Sequence, residues 1–275
     1  MSPDTCDVAL CSCFNTRDLV RYSQVCRDTR RAVQSYSSQA FQLHRTLVNF
    51  MSVDEVRAFR QLMRETGTLI SGSVAIHFFS RTDVGESGLD LYMEGDNAHN
   101  VAAFVQKLGY AYQPRMYQNQ RIHNAIAHAT SRYAIRDSAI YEMPAILDKF
   151  TFDREGTKIH LLVADLSAID AILDFHSTVV MNIITHRAAY ALYPQSTFKA
   201  NMGICFDEDP INGDSSKYRE RGWDLRCAVE DRACRSLHGE ITNNERYVGD
   251  RYTWTINFDD RLVPSTSLAI MLMNR

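Results

Sequence analysis

The stretch LISGSVAIHFFSRTDVGESGLDLYME, residues 69–94, decides the fold. It reads as a strand, a tight turn, a helix, a loop and a second strand. Gly72 permits close backbone geometry, and Ser73 offers a hydroxyl to cap the helix that follows. The free N–H groups at a helix start suit a phosphate. In the extended segment after the loop, residues 88, 90 and 92 share one face and 89, 91 and 93 the other. Leu89, Leu91 and Met93 are expected in a core, with Asp90 turned toward Gly72 and Ser73. Two carboxylates at i and i+2 on such a strand would hold Mg²⁺ together, and the metal would hold a nucleotide's phosphates. Position 88 is Gly, so Asp90 alone remains of that pair. Taken singly, a Gly-Ser pair is equally a plain cap, and Asp90 a carboxylate capping a turn or pairing with an arginine.

Upstream, residues 7–66 read as helical. One helix is expected from Asn15 or Thr16 through NTRDLVRYSQVCRDTRRAVQSYSS, with Leu19, Val20, Tyr22, Val25, Cys26 and Val33 at three- and four-residue spacing. A second covers QAFQLHRTLVNFM. A third starts at Ser52, where Glu55 three residues on completes a capping box, and stops at Gly67. Downstream, NAHNVAAFVQKLGY is an amphipathic helix ending at Gly109. Residues 131–143 are candidates for paired strands, and AILDKFTFDREGTKIHLLVAD for a hairpin turning at DREGT. Residues 167–194 read as a long helical region closed by Pro194. A loop with a turn at Asn212-Gly213 precedes one or two helices, and YTWTINFDD reads as a last strand. The fold class is α+β, divided into a helical region, 1–66, and an α+β domain, 67–275.

Composition sets bounds on partners. The chain has 275 residues, 45% hydrophobic and 23% charged, which supports a substantial core. A net charge of −3 gives no general push toward nucleic acid or an anionic membrane. Seven cysteines without an N-x-S/T sequon, a signal-like start or an 18-residue apolar run point to an intracellular protein, cytoplasmic or nuclear, with reduced thiols. Cys6, Cys11, Cys13 and Cys26, or Cys227, Cys234 and His238, fit no common zinc spacing, and no zinc is expected. His176, Ser177 and His186 lack a nucleophile elbow and are read as groups that satisfy buried backbone.

Gly72-Ser73, followed after a helix and loop by Gly88-Leu89-Asp90-Leu91-Tyr92, resembles the signature of the nucleotidyltransferase fold, the polymerase-β-like group, over about residues 66–165. The resemblance implies a mixed sheet flanked by helices, Mg²⁺ and a nucleoside triphosphate as cofactors, and transfer of a nucleoside monophosphate. Carried over, Gly72 and Ser73 match the phosphate turn and Asp90 the second metal-binding acid. Gly88 stands in the first acid's place and His160, on KIHLLVAD, in the third's. Glu86 is a substitute carboxylate near the site, with Asp83 and Glu94 also close in sequence. The implied alternatives are a domain with a degenerate metal site that binds nucleotide and Mg²⁺ at most, and an active transferase using Asp90 with Glu86 or His160. Gly88→Asp is expected to raise Mg²⁺ affinity.

Leu10, Asp18-Leu19 and Val25-Cys26-Arg27 resemble the second half of an F-box, without its usual Leu-Pro opening. That likeness implies a Skp1-like partner for the first helices and a third alternative, a non-enzymatic adaptor. The whole order of parts resembles uncharacterised proteins of mushroom-forming fungi.

Overall fold

The computed structural model describes residues 5–81, 88–131, 145–205, 216–227, 240 and 246–258. Glu86 and Asp83, most of 131–143, the Asn212-Gly213 turn, Cys234 and His238 lie outside these residues.

The chain opens with α1 (Thr5–Ser12), α2 (Thr16–Ser23) and α3 (Arg27–Ala40). One helix was expected across the second and third, but Cys26 divides them. Its thiol accepts the Thr29 N–H at 3.5 Å, while the Thr29 hydroxyl takes up the Cys26 N–H at 3.1 Å. A reciprocal cap of this kind starts a helix, so the apolar spacing continues across a break in the backbone. Asn15 caps α2 through the Asp18 N–H at 2.9 Å. Cys11, Leu19 and Tyr36 form a small core among these helices. The short α4 (Leu43–Thr46) and α5 (Val53–Thr66) follow. The capping box of Ser52 with Glu55 and the left-handed Gly67 bound α5 as the sequence predicts.

The rest alternates. In order come β1 (Leu69–Ser71), α6 (Gly72–Ser80), β2 (Leu89–Glu94), α7 (Ala98–Lys107), β3 (Ala111–Gln113) and α8 (Ile122–Thr130). The hairpin β4 (Ile146–Arg154) and β5 (Thr157–Ala164) leads to α9 (Ala168–Leu173), β6 (Asn182–Ile184) and β7 (Ala188–Ala191). Then follow β8 (Met202–Cys205), α10 (Ser216–Glu220), β9 (Asp224–Cys227) and β10 (Trp254–Asn257). Eight strands form one mixed sheet in the order β10-β7-β6-β1-β2-β5-β4-β3, and β8 pairs with β9 separately. Within the large sheet β2 and β5 run parallel and the other pairs are antiparallel.

The long helix expected over 167–194 is instead the six-residue α9 followed by the β6–β7 hairpin. Ser167 caps α9, and Thr185 fixes the hairpin turn by accepting the Ala188 N–H at 3.1 Å and donating to the Ala188 carbonyl at 2.9 Å. Short apolar runs such as Val179-Val180 and Ile183-Ile184 fit either period, and here the β-branched side chains and the threonine turn prevail.

Alternation on β2 sets the two faces of the sheet. Leu89, Leu91 and Met93 are buried with Phe150, Phe152, Ile159, Leu161 and Val163, under α5, α6, α7 and α8. Each such side chain taken from water contributes roughly 1.5–3 kcal/mol, which fixes the register that aims Asp90 the other way. On that opposite face α9 and the residues after it cover Tyr92 and Leu162. Asp90 and His160 remain half-buried beyond this cover.

Candidate nucleotide site

Strand register assembles the site. Ser71 pairs with Asp90, Asp90 with His160, His160 with Thr151 and Thr151 with Gln113, so polar residues cross the sheet in one row. The Gly72 backbone is left-handed, with φ of +70°, and an added Cβ would stand 2.8 Å from Asp90 Oδ2. Only a residue without a side chain meets both conditions at low cost. The expected closeness of Asp90 to the turn is therefore present.

Ser73 does not cap α6, contrary to the reading from sequence. The helix begins one residue earlier, at Gly72, and Ser71 stands at the cap position without a side-chain cap bond. The Ser71 hydroxyl turns instead to the Asn182 carbonyl at 2.7 Å and the Val180 carbonyl at 3.3 Å, fastening the turn to β6. Ser73 sits in the first helical turn, where Arg221 Nη1 donates to its hydroxyl at 3.3 Å. The start of α6 thus presents main-chain N–H groups beside an arginine, an arrangement that attracts anions.

His160, paired with Asp90 across the strands, is an imidazole held neutral. Burial first, then the charges of Lys149, Lys158 and Arg115, push its pKa down to about 3. The ring is therefore neutral at physiological pH. Its Nδ1 lies 3.1 Å from the Thr151 hydroxyl. Its Nε2 edge fills the space beside Gly88, where an added Cβ would meet Nε2 at 2.7 Å, Cδ2 at 2.8 Å and the Lys158 carbonyl at 3.2 Å. A base with so low a pKa has little proton affinity to lend to a reacting hydroxyl at pH 7.

Two Mg²⁺ ions need converging anionic oxygens. Among the described residues no three His, Cys, Asp or Glu side chains gather as metal ligands. Asp90 is flanked by a glycine with no room for a side chain and by a neutral imidazole within reach of three cations. These residues do not fit a paired-metal centre. Sequence reasoning found Gly72, Asp90 and His160 but missed Thr151, Lys149, Arg115 and Arg221. The first two were legible in principle, because the DREGT turn fixes which residues of β4 face His160. Arg115 and Arg221 arrive from separate loops and leave no local signal.

Ser177, Thr178 and the His186 carbonyl each satisfy a neighbouring polar group. Ser177 accepts the Val179 N–H at 3.3 Å, Thr178 accepts the Ile204 N–H at 3.0 Å, and the His186 carbonyl receives Arg60 Nε at 3.0 Å and Nη2 at 2.8 Å. In the helical start, Leu10 is 42% and Val25 71% exposed, while Leu19 is buried. Among the described residues no helix is long and apolar enough to cross a membrane.

No protein-family model, curated protein sequence or solved structure matches the chain.

Proposed function

We propose that this chain binds a nucleoside triphosphate at the Gly72 turn without paired-metal catalysis, as a nucleotidyltransferase-like domain with a degenerate metal site. The observation that carries the reading is the side-chain-free start of α6, without a cap bond from Ser71 and packed against Asp90, with Arg221 on Ser73 beside it. The phosphates would be held by the first N–H groups of α6 and by the surrounding cations, Arg221, Lys158 and Lys149. Asp90 then opposes the ligand, because a carboxylate and a phosphate compete for the same helix start.

This gives the reading a sign. In a metal-dependent enzyme Asp90→Asn abolishes nucleotide binding, whereas here it strengthens binding and removes any Mg²⁺ requirement. Calorimetry with ATP, GTP, CTP and UTP, with and without Mg²⁺, on the parent protein and on Asp90→Asn, tests it. Absence of binding by both proteins refutes the proposal. Mg²⁺-dependent binding lost in Asp90→Asn favours the transferase alternative, in which Asp90 acts with Glu86 or His160.

A second reading rests on the exposed Leu10 and Val25, which lie at F-box positions on the helical start. A Skp1-like partner covering them would make the chain an adaptor. A pull-down with purified Skp1, against Val25→Asp as control, decides it, and no capture removes this reading.

A further inference from the structure

Away from the candidate site, His99 in the first turn of α7 and His123 in the first turn of α8 bring their imidazoles together. Their ring centroids are 4.4 Å apart and the planes tilt by 36°. His99 is half-buried and His123 exposed, so the pair meets solvent. Burial, then the neighbouring His123, lowers the pKa of His99.

The separation carries chemical information. A ring nitrogen lies about 1.1–1.2 Å from its centroid and binds a divalent ion at roughly 2.0–2.1 Å, so centroid and ion are about 3.2 Å apart. Two such ligands at a right angle have centroids about 4.5 Å apart, by the same bond lengths. We propose that His99 and His123 form a bidentate site for a first-row divalent ion that favours imidazole and right-angled ligands, such as Ni²⁺ or Cu²⁺, clipping α8 to α7. Mg²⁺ prefers oxygen ligands and is not bound there. Among the described residues no third protein ligand joins the pair, so water completes the coordination. The open positions make this an exchangeable site rather than a closed structural one.

The proposal is independent of nucleotide binding, and its test uses the full chain with Ni²⁺ alone. Ni²⁺ avoids the thiol redox chemistry that Cu²⁺ would bring to a protein with seven cysteines. Calorimetry and thermal unfolding across a Ni²⁺ titration are compared for the parent, His99→Gln, His123→Gln and the double variant. The expected result is one Ni²⁺ per chain that raises the unfolding temperature, with affinity at least tenfold weaker in each single variant and no further loss in the double. Mg²⁺ at the same concentration has no effect. Absence of Ni²⁺ binding in the millimolar range overturns the proposal. So does Ni²⁺ binding that keeps the parent's affinity in the double variant, which would place the ion on other histidines or on thiols.

Discussion

Gly88→Ala tests the site's geometry most directly. An alanine methyl would stand 2.7 Å from His160 Nε2 and 2.8 Å from Cδ2, closer than carbon tolerates, so the ring must turn away. Turning costs the contact with the Thr151 hydroxyl, 3.1 Å from Nδ1, a loss of about 0.5–1.5 kcal/mol. A similar amount, about 0.5–1.5 kcal/mol, is added if the new side-chain torsion leaves its well. The Lys158 carbonyl, 3.2 Å from the methyl, belongs to the backbone and cannot swing aside. The sum, about 1–3 kcal/mol, matches an overpacked core. For a chain of this size it lowers the unfolding temperature by roughly 2–12 °C. The decisive assay is the double-mutant cycle with His160→Ala, which empties the space. The expected coupling is at least about 1 kcal/mol, within the range for residues in contact. An unchanged unfolding temperature for Gly88→Ala, or strict additivity in the cycle, refutes the geometry. The same contact revises an expectation from the sequence. Gly88→Asp alone gains no Mg²⁺, because its Cβ has no room. Gly88→Asp together with His160→Asp gathers three carboxylates with Asp90 and is expected to bind it.

Further outcomes follow from other contacts. His160 has a folded pKa of about 3 against an ordinary 6.5, so below pH 6.5 the unfolded chain takes up a proton that the folded chain refuses. Its contribution is complete above that pH and falls toward pH 3, with a slope approaching about 1.4 kcal/mol per unit; His160→Asn flattens this part of the stability–pH curve in urea titrations. Gly72→Ala combines the left-handed φ with the 2.8 Å approach to Asp90, and should cost at least about 1–2 kcal/mol and weaken nucleotide binding by calorimetry. Glu240, almost wholly buried, accepts the Gln195 and Ser196 N–H groups at 2.7 and 3.0 Å. Glu240→Ala leaves them unpaired and is expected to destabilise by about 2–4 kcal/mol in denaturant unfolding.

The legible part of this fold is where local chemistry and tertiary packing agree. Ser52, Glu55 and Gly67 bound α5 by capping alone, and the alternation of Leu89, Leu91 and Met93 fixed both the strand and the direction of Asp90. Misreadings arose where one residue supports two outcomes. Cys26 continues an apolar stripe and yet caps a new helix, and Val179–Ile184 fits a helix by period but a hairpin by turn chemistry. At the site, Gly88 and His160 were each visible as residues other than the acids the resemblance implies. Their interdependence was not, because it resides in a 2.7 Å contact between adjacent strands. The cations felt by His160 were hidden for a similar reason: Arg115 belongs to a loop held by Gln118, which donates to Asp148 at 2.9 Å, and spacing does not reveal such contacts.

Helix α6 has its two ends committed to different neighbours. Gly72 opens it against Asp90, while at its far end the Phe79 carbonyl accepts the Thr16 hydroxyl at 3.2 Å and Arg81 reaches the Phe14 carbonyl and the Tyr36 hydroxyl. The Arg81 guanidinium also lies over the Tyr36 and Phe41 rings, at 5.4 and 5.7 Å. Nine residues make a rod about 13 Å long, too short to bend between its fastenings. Its buried Val74, Ala75, Ile76, Phe78 and Phe79 hold it in the core between those two ends. The proposed nucleotide seat and the helical start thus rest on opposite ends of one short helix.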